Sequence, residues 1–185
     1  MLQDEHADAL AASEANRLLV EAGASSASVW RALIRSLAVC PGDAGVIHLL
    51  GHNGASIHVG ALYHPAAPAR ALMLDLLASG PHALVDAFTL RALQTGHSYR
   101  VPILSADLLR LWVQPEFRVY LDRYPVTDML VVPMHSGGRR IGAVRVWREQ
   151  SDSAYTDADL VFVEQLVDSI ASSLQLPRAR RRHTL

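Results

Sequence analysis

Residues 128–149, DMLVVPMHSGGRRIGAVRVWRE, read as two apolar strands joined by a glycine turn. No other stretch limits the fold so tightly, because a short turn fixes the register and the register fixes what each face can meet. Whether Gly137-Gly138 is a two-residue turn or residues 136–139 form a four-residue loop, the pairing is the same. Val132 opposes Ala143, Leu130 opposes Arg145 and Asp128 opposes Trp147. The face formed by Met129, Val131, Pro133, Gly142, Val144 and Val146 is then wholly apolar and suits packing beneath helices. The other face carries Arg145 and Trp147 beside Leu130 and Asp128. A guanidinium in the middle of a strand calls for a partner.

Around this hairpin the chain alternates helical and extended signals. Residues 5–21 carry a thin stripe of Ala11, Ala15 and Leu18, continued by Ala22 and flanked by Leu10 and Leu19. Such a narrow seam suits helix–helix pairing. Gly23 stops it, and Ser25 or Ser26 can cap a second helix with the face Val29, Trp30, Leu33, Ile34 and Leu37. AGVIHLLGHNGASIHVGALY holds another hairpin around Asn53-Gly54. HPAAPA reads as a loop. Leu72, Met73, Leu76 and Leu77 mark a short helix, and roughly residues 83–94 mark another, closed at Gly96. SYRVPIL is a short strand pushed towards a sheet edge by Pro102. SADLLRLWVQPEFRVYLDRYP is helical or irregular, interrupted at Pro115. After the polar linker EQSDSAY, the last helix opens at Thr156 with Asp159 at N3. It runs through Leu160, Val163, Val167, Ile170 and Leu174 to Pro177. This order predicts an α+β fold: a central antiparallel sheet, terminal helices on one face and a helical middle segment over the other.

With 185 residues, half of them hydrophobic and 19% charged, the chain suits one soluble domain with a sizeable core. We expect a dimerisation-type helix in 1–24, the domain proper in 25–176 and a disordered basic tail in 177–185. A net charge of −1 supplies no general field for nucleic acid or anionic membranes. The tail's RARRR lacks an accompanying groove-reading helix, so no nucleic-acid partner is expected. No apolar run approaches the ~20 residues of a membrane span. The acidic, polar N-terminus resembles neither a signal nor a transit peptide, and a cytoplasmic location follows as the expectation. Cys40 is the only cysteine, which excludes an internal disulfide, a CxxC pair and a multi-cysteine metal site.

The order of elements and its local wording resemble a GAF domain, a PAS-like sensory and regulatory module, over roughly residues 30–174. DMLVVPMHSGGRRIGAVRVW is similar to the family's strand ending in Val-Pro, its glycine turn and its Ile-Gly-x-Val strand. YTDADLVFVEQLVDSIASSL is similar to its closing helix, and TLRALQTGHSYRVPIL to the helix–Thr-Gly–strand element before the ligand loop. The resemblance implies a ligand between the sheet and the middle segment, here beneath residues 63–124, and a parallel dimeric bundle of terminal helices.

Folds of this kind share architecture more than ligand, so each chemistry must be sought in its residues. Some relatives hold haem through a histidine shortly before the Val-Pro strand. LDRYPVTD has none, which leaves Tyr120, Tyr124 or a loop histidine for that role, and a haem-type gas or redox sensor therefore ranks last among the binding readings. Bilin-binding relatives use a cysteine in the middle segment, whereas Cys40 precedes the first strand. The branch that reduces free methionine sulfoxide needs several cysteines. The cyclic-nucleotide signature Asn-Lys-x-Phe-Asp-Glu requires a lysine, and all 17 basic residues here are arginine, which leaves cyclic-nucleotide binding only through other contacts. The nine histidines show no metal-ligand spacing. His48 should oppose Val59 and His58 should oppose Leu49, which puts the two on opposite faces. Asp157 and Asp159 fit helix capping.

The expected pocket is wide and apolar, with Leu62, Met73, Phe88, Leu111, Trp112, Phe117, Leu130 and Trp147 as walls and Arg145 and Arg118 as polar contacts. Arg145 has two readings: a fork for an anionic ligand, with Trp147 as a stacking wall, or a structural pair with Asp128. The expected function is a non-enzymatic sensor that binds a small molecule, without a dedicated cofactor or metal. It would signal through dimeric terminal helices to a protein on a separate chain. The alternative is a ligand-free dimerisation or interaction module.

Overall fold

The computed structural model describes residues 26–37, 43–51, 54, 56–79, 85–103, 105–149 and 154–173. The expected seam of residues 5–21, Cys40, residues 150–153 of the linker and the basic tail lie outside them. The described elements are α1 (Ser26–Leu37), β1 (Asp43–Leu50), β2 (Ile57–Tyr63), α2 (Ala67–Ser79), α3 (Ala87–Thr95) and β3 (Tyr99–Pro102). There follow α4 (Ala106–Trp112), a 3-10 turn (Pro115–Phe117), α5 (Arg118–Arg123), β4 (Asp128–Ser136), β5 (Arg139–Arg148) and α6 (Asp157–Ser173). The strands form one antiparallel sheet in the order β2-β1-β5-β4-β3. Pro102 duly sits in an edge strand.

Helices α1 and α6 cover one face. Val29, Trp30, Leu33, Ile34, Val163, Leu166, Val167 and Ile170 bury against Ile47, Leu130, Val132, Met134, Val144 and Val146. The middle segment covers the other. There Met73, Leu109, Phe117, Tyr120 and Leu121 meet Val46, Met129, Val131 and Trp147. Two of the local signals act as expected. Gly96 closes α3 in the left-handed region (φ 75°), its N–H reaching the Ala92 carbonyl. Thr156 and Asp159 form a reciprocal cap: the Thr156 N–H donates to Asp159 Oδ2 at 2.6 Å, and the Asp159 N–H donates to Thr156 Oγ at 3.2 Å. The HPAAPA segment differs from expectation, because α2 already begins at Ala67. Pro68 lies in its first turn, where the missing N–H costs nothing.

The central hairpin needs a larger correction. Ser136 pairs with Arg139 around a Gly137-Gly138 turn in which both glycines have positive φ (56° and 75°). The next pairs are His135 with Arg140 and Met134 with Gly142, leaving Ile141 as an extra residue. This bulge shifts all further pairing by one, and a one-residue shift reassigns faces. Val132 therefore opposes Val144, Leu130 opposes Val146, Asp128 opposes Arg148 and Val131 opposes Arg145. Leu130 and Asp128 belong to the α1/α6 side, whereas Met129 and Val131 join Arg145 and Trp147 on the middle-segment side. The first hairpin keeps its expected register near the turn, with His48 opposite Val59 and Leu49 opposite His58, but a register shift between Ile47 and His48 moves the pairing beyond by one, so that Ile47 opposes Ala61.

Candidate functional site

The bulge delivers Arg145 and Trp147 together, buried, beneath the middle segment. The Arg145 guanidinium lies 5.0 Å from the centre of the Trp147 ring and 5.5 Å from that of Phe117. Its ionic partner is Asp86, not Asp128: Nη1 donates to Asp86 Oδ2, and both side chains are almost wholly buried. Asp86 is held in turn as the N-cap of α3. Its Oδ1 accepts the Thr89 N–H at 2.7 Å, and its Oδ2 accepts the Thr89 hydroxyl at 3.2 Å. Burial pushes the Arg145 guanidinium down to about 9, which still leaves it charged at neutral pH. Nε and Nη2, on the edge away from Asp86, are buried and have no hydrogen-bond partner among the described residues.

A second polar group lies two residues further along. Glu149 Oε1 accepts the Trp147 indole N–H at 3.2 Å and the Tyr120 hydroxyl. His64 Nε2 lies 3.0 and 3.1 Å from the two Glu149 oxygens. His64 Nδ1 accepts the Ala66 backbone N–H at 2.9 Å, so the Nε2 proton must face the carboxylate. Burial acts to raise the Glu149 carboxyl, but hydrogen bonds from His64 and Tyr120 outweigh it and hold Glu149 below the usual carboxylate range. The Tyr120 hydroxyl is driven well above its ordinary value, by burial first and then by its bond to Glu149. Tyr120 also stacks on Phe117 with ring centres 4.8 Å apart. Trp147 thus joins the two groups: its ring lies beside Arg145 and its N–H is bound to Glu149.

The other expected site residues divide. Met73 and Phe117 are buried in the middle-segment core, and Leu62 and Phe88 are partly buried against it. Trp112 meets Phe88 edge-on at 4.9 Å but is 43% exposed, and Leu111 lies further out, at 71%. Arg118 is exposed and donates from Nε to the Arg110 carbonyl at 3.1 Å. Leu130 is fully buried in the opposite core. Asp128 accepts the backbone N–H groups of Met129 (2.8 Å) and Tyr155 (2.6 Å), fixing the approach to α6. Asp86, His64 and Glu149 were not foreseen as site residues, and Tyr120 was considered only as a haem ligand. An Asp three residues before Thr89 is a recognisable N-cap signal, but nothing local announces its partner 59 residues away.

A GAF domain family model matches residues 8–174 of the chain. No curated protein matches it in sequence. Among solved structures it is similar to the GAF domain from Acinetobacter phosphoenolpyruvate-protein phosphotransferase, with a TM-score of 0.63 and 14% identity over 92% of each chain. It is similar to the GAF domain/HD domain protein from Geobacter sulfurreducens, with a TM-score of 0.57 and 18% identity over 80% of this chain and 91% of that one. It is also similar to the GAF domain of a protein described as a sensor histidine kinase from Pseudomonas syringae pv. tomato. There the TM-score is 0.55 and the identity 12%, over 91% of this chain and 87% of that one. At such identities the likeness is one of fold.

Proposed function

The chain belongs to the GAF domain family of sensory and regulatory modules, and from that premise we propose that it is a non-enzymatic sensor that binds a small molecule between the sheet and the middle segment. The observation that carries this reading is the Arg145 edge. A buried N–H without a partner costs about 1–3 kcal/mol, and more on a charged group. A ligand acceptor at Nε and Nη2 would recover that cost, with Trp147 and Phe117 beside it. In the same reading β5 is the transmitting element. Arg145 and Trp147 face the ligand side, while Val144 and Val146, between and beside them in the strand, pack in the α1/α6 core. A shift of the strand on binding would move the terminal helices of a homodimer and be read by a signalling protein.

The mutual packing of Phe117, Tyr120 and Trp147, all buried, favours a second reading. In it the space is filled by the protein's own side chains, and the module serves for dimerisation or interaction. Native mass spectrometry of the protein as purified, followed by thermal shift against a broad small-molecule library, separates the two. A retained compound or a saturable rise in Tm supports sensing, because a ligand that binds only the folded state stabilises it. A tight dimer with no responding compound supports the interaction module.

A further inference from the structure

We infer that the ligand is a small monocarboxylate, gripped through both of its oxygens by the Nε–Nη2 edge of Arg145. This rests on the sensory reading above and gives its site a chemical class. A guanidinium has a side-on edge on which the Nε–H and one Nη–H run parallel, spaced to meet the two oxygens of one carboxylate. In Arg145 that edge is the unpartnered one, since Asp86 is bonded to Nη1. Asp86 accepts Thr89 N–H and Thr89 Oγ–H as well, so α3 holds it in place and it in turn fixes the guanidinium. The site is thus organised before a ligand arrives, which lowers the ordering cost of binding.

Charge narrows the class further. Asp86 already balances Arg145, so a monocarboxylate brings this pair to −1 and a dianion brings it to −2, with the Glu149 carboxylate already on the far side of Trp147. Burial penalises the second far more than the first. A neutral carboxamide fits in outline but presents an NH2 to one of the two donors, leaving that donor unpaired. The Trp147 and Phe117 rings beside the guanidinium supply apolar surface for the ligand's body. Both oxygens of the acid must reach a guanidinium that is 2% exposed, which restricts the ligand to a small molecule.

The test is titration calorimetry on the full chain with matched pairs: butyrate against butyramide, benzoate against benzamide, and each acid against inorganic phosphate and sulfate. The acids are expected to bind roughly tenfold or more tightly than their amides and than either inorganic anion. Amides that bind as well as the acids overturn the carboxylate assignment while leaving a small-molecule sensor intact. If none of the acids, amides or anions binds, the assignment fails, and the library screen above decides the sensory reading separately. Arg145→Lys keeps the charge and removes the parallel edge, and it is expected to lose the preference for acid over amide. A retained preference overturns the proposal. Should Arg145→Lys not fold, Trp147 can be isolated as the sole indole by Trp30→Phe and Trp112→Phe. A change in its emission with the bound acid supports the site, and unchanged emission overturns it.

Discussion

Asp86 and Arg145 close an ion pair across the middle-segment core, joining the cap of α3 to the centre of β5. Each has almost no exposure to water, so neither charge has solvent to fall back on. Asp86→Ala should cost about 3–5 kcal/mol by stranding the guanidinium. Adding Arg145→Met should cost less than the two single changes summed, because the pair disappears together. Urea denaturation of the four proteins measures this, and strictly additive costs would contradict a direct pairing.

The bulge at Ile141 depends on the residue after it. A Cβ at Gly142 would fall against the His48 carbonyl and the Met134 methyl group, and the first of these is backbone that cannot swing aside. Gly142→Ala should therefore destabilise the domain by about 3 kcal/mol or more. A melting temperature within a degree or so of wild type, against the several degrees such a loss implies, would mean that β1 and β5 do not approach so closely.

Glu149 makes the stability depend on acid. Its folded-state carboxyl titrates below the ordinary carboxylate range, so its contribution is complete above an unfolded value of about 4.3. That contribution is lost as pH falls through the lower folded-state value. Glu149→Gln should flatten the acid limb, and Tyr120→Phe should cost about 1.5–3 kcal/mol near neutral pH by removing a bond to a charged acceptor. Denaturation midpoints followed from about pH 7 to pH 3 check both. An acid limb unchanged in Glu149→Gln would place the titrating group elsewhere.

Thr156→Ala removes one side of the reciprocal cap on α6 and should cost about 1 kcal/mol. It touches neither Arg145 nor Glu149, so ligand binding should be unaffected. A binding loss larger than the loss of stability would point to α6 as part of the site.

What the sequence disclosed follows the range of the forces involved. The Gly137-Gly138 turn, the Gly96 stop and the Thr156 cap are local, and each could be placed from its neighbours. The two cores were legible from periodicity in α1, α6 and the strands. The bulge was not, since one extra residue between Arg140 and Gly142 leaves the alternation of apolar residues unbroken on either side. That single shift moved Leu130 and Asp128 to the helix side and Met129 and Val131 to the other. The partners of Arg145 and Glu149 were equally hidden. Asp86 looks like any helix cap, and Glu149 like the first residue of a linker, until the fold brings them to Arg145, His64 and Tyr120.

Whether the Arg145 edge receives a ligand can be read directly at the atom concerned. The side-chain Nε–H resonance of Arg145, identified by its disappearance in Arg145→Lys, can be followed by nitrogen-edited NMR during titration with butyrate and with benzoate. The expected result is a saturable displacement of that one resonance, with the same midpoint as the calorimetric titration and with the exposed Arg118 signal unmoved. A compound that binds and raises Tm while the Arg145 resonance stays still would contradict the account.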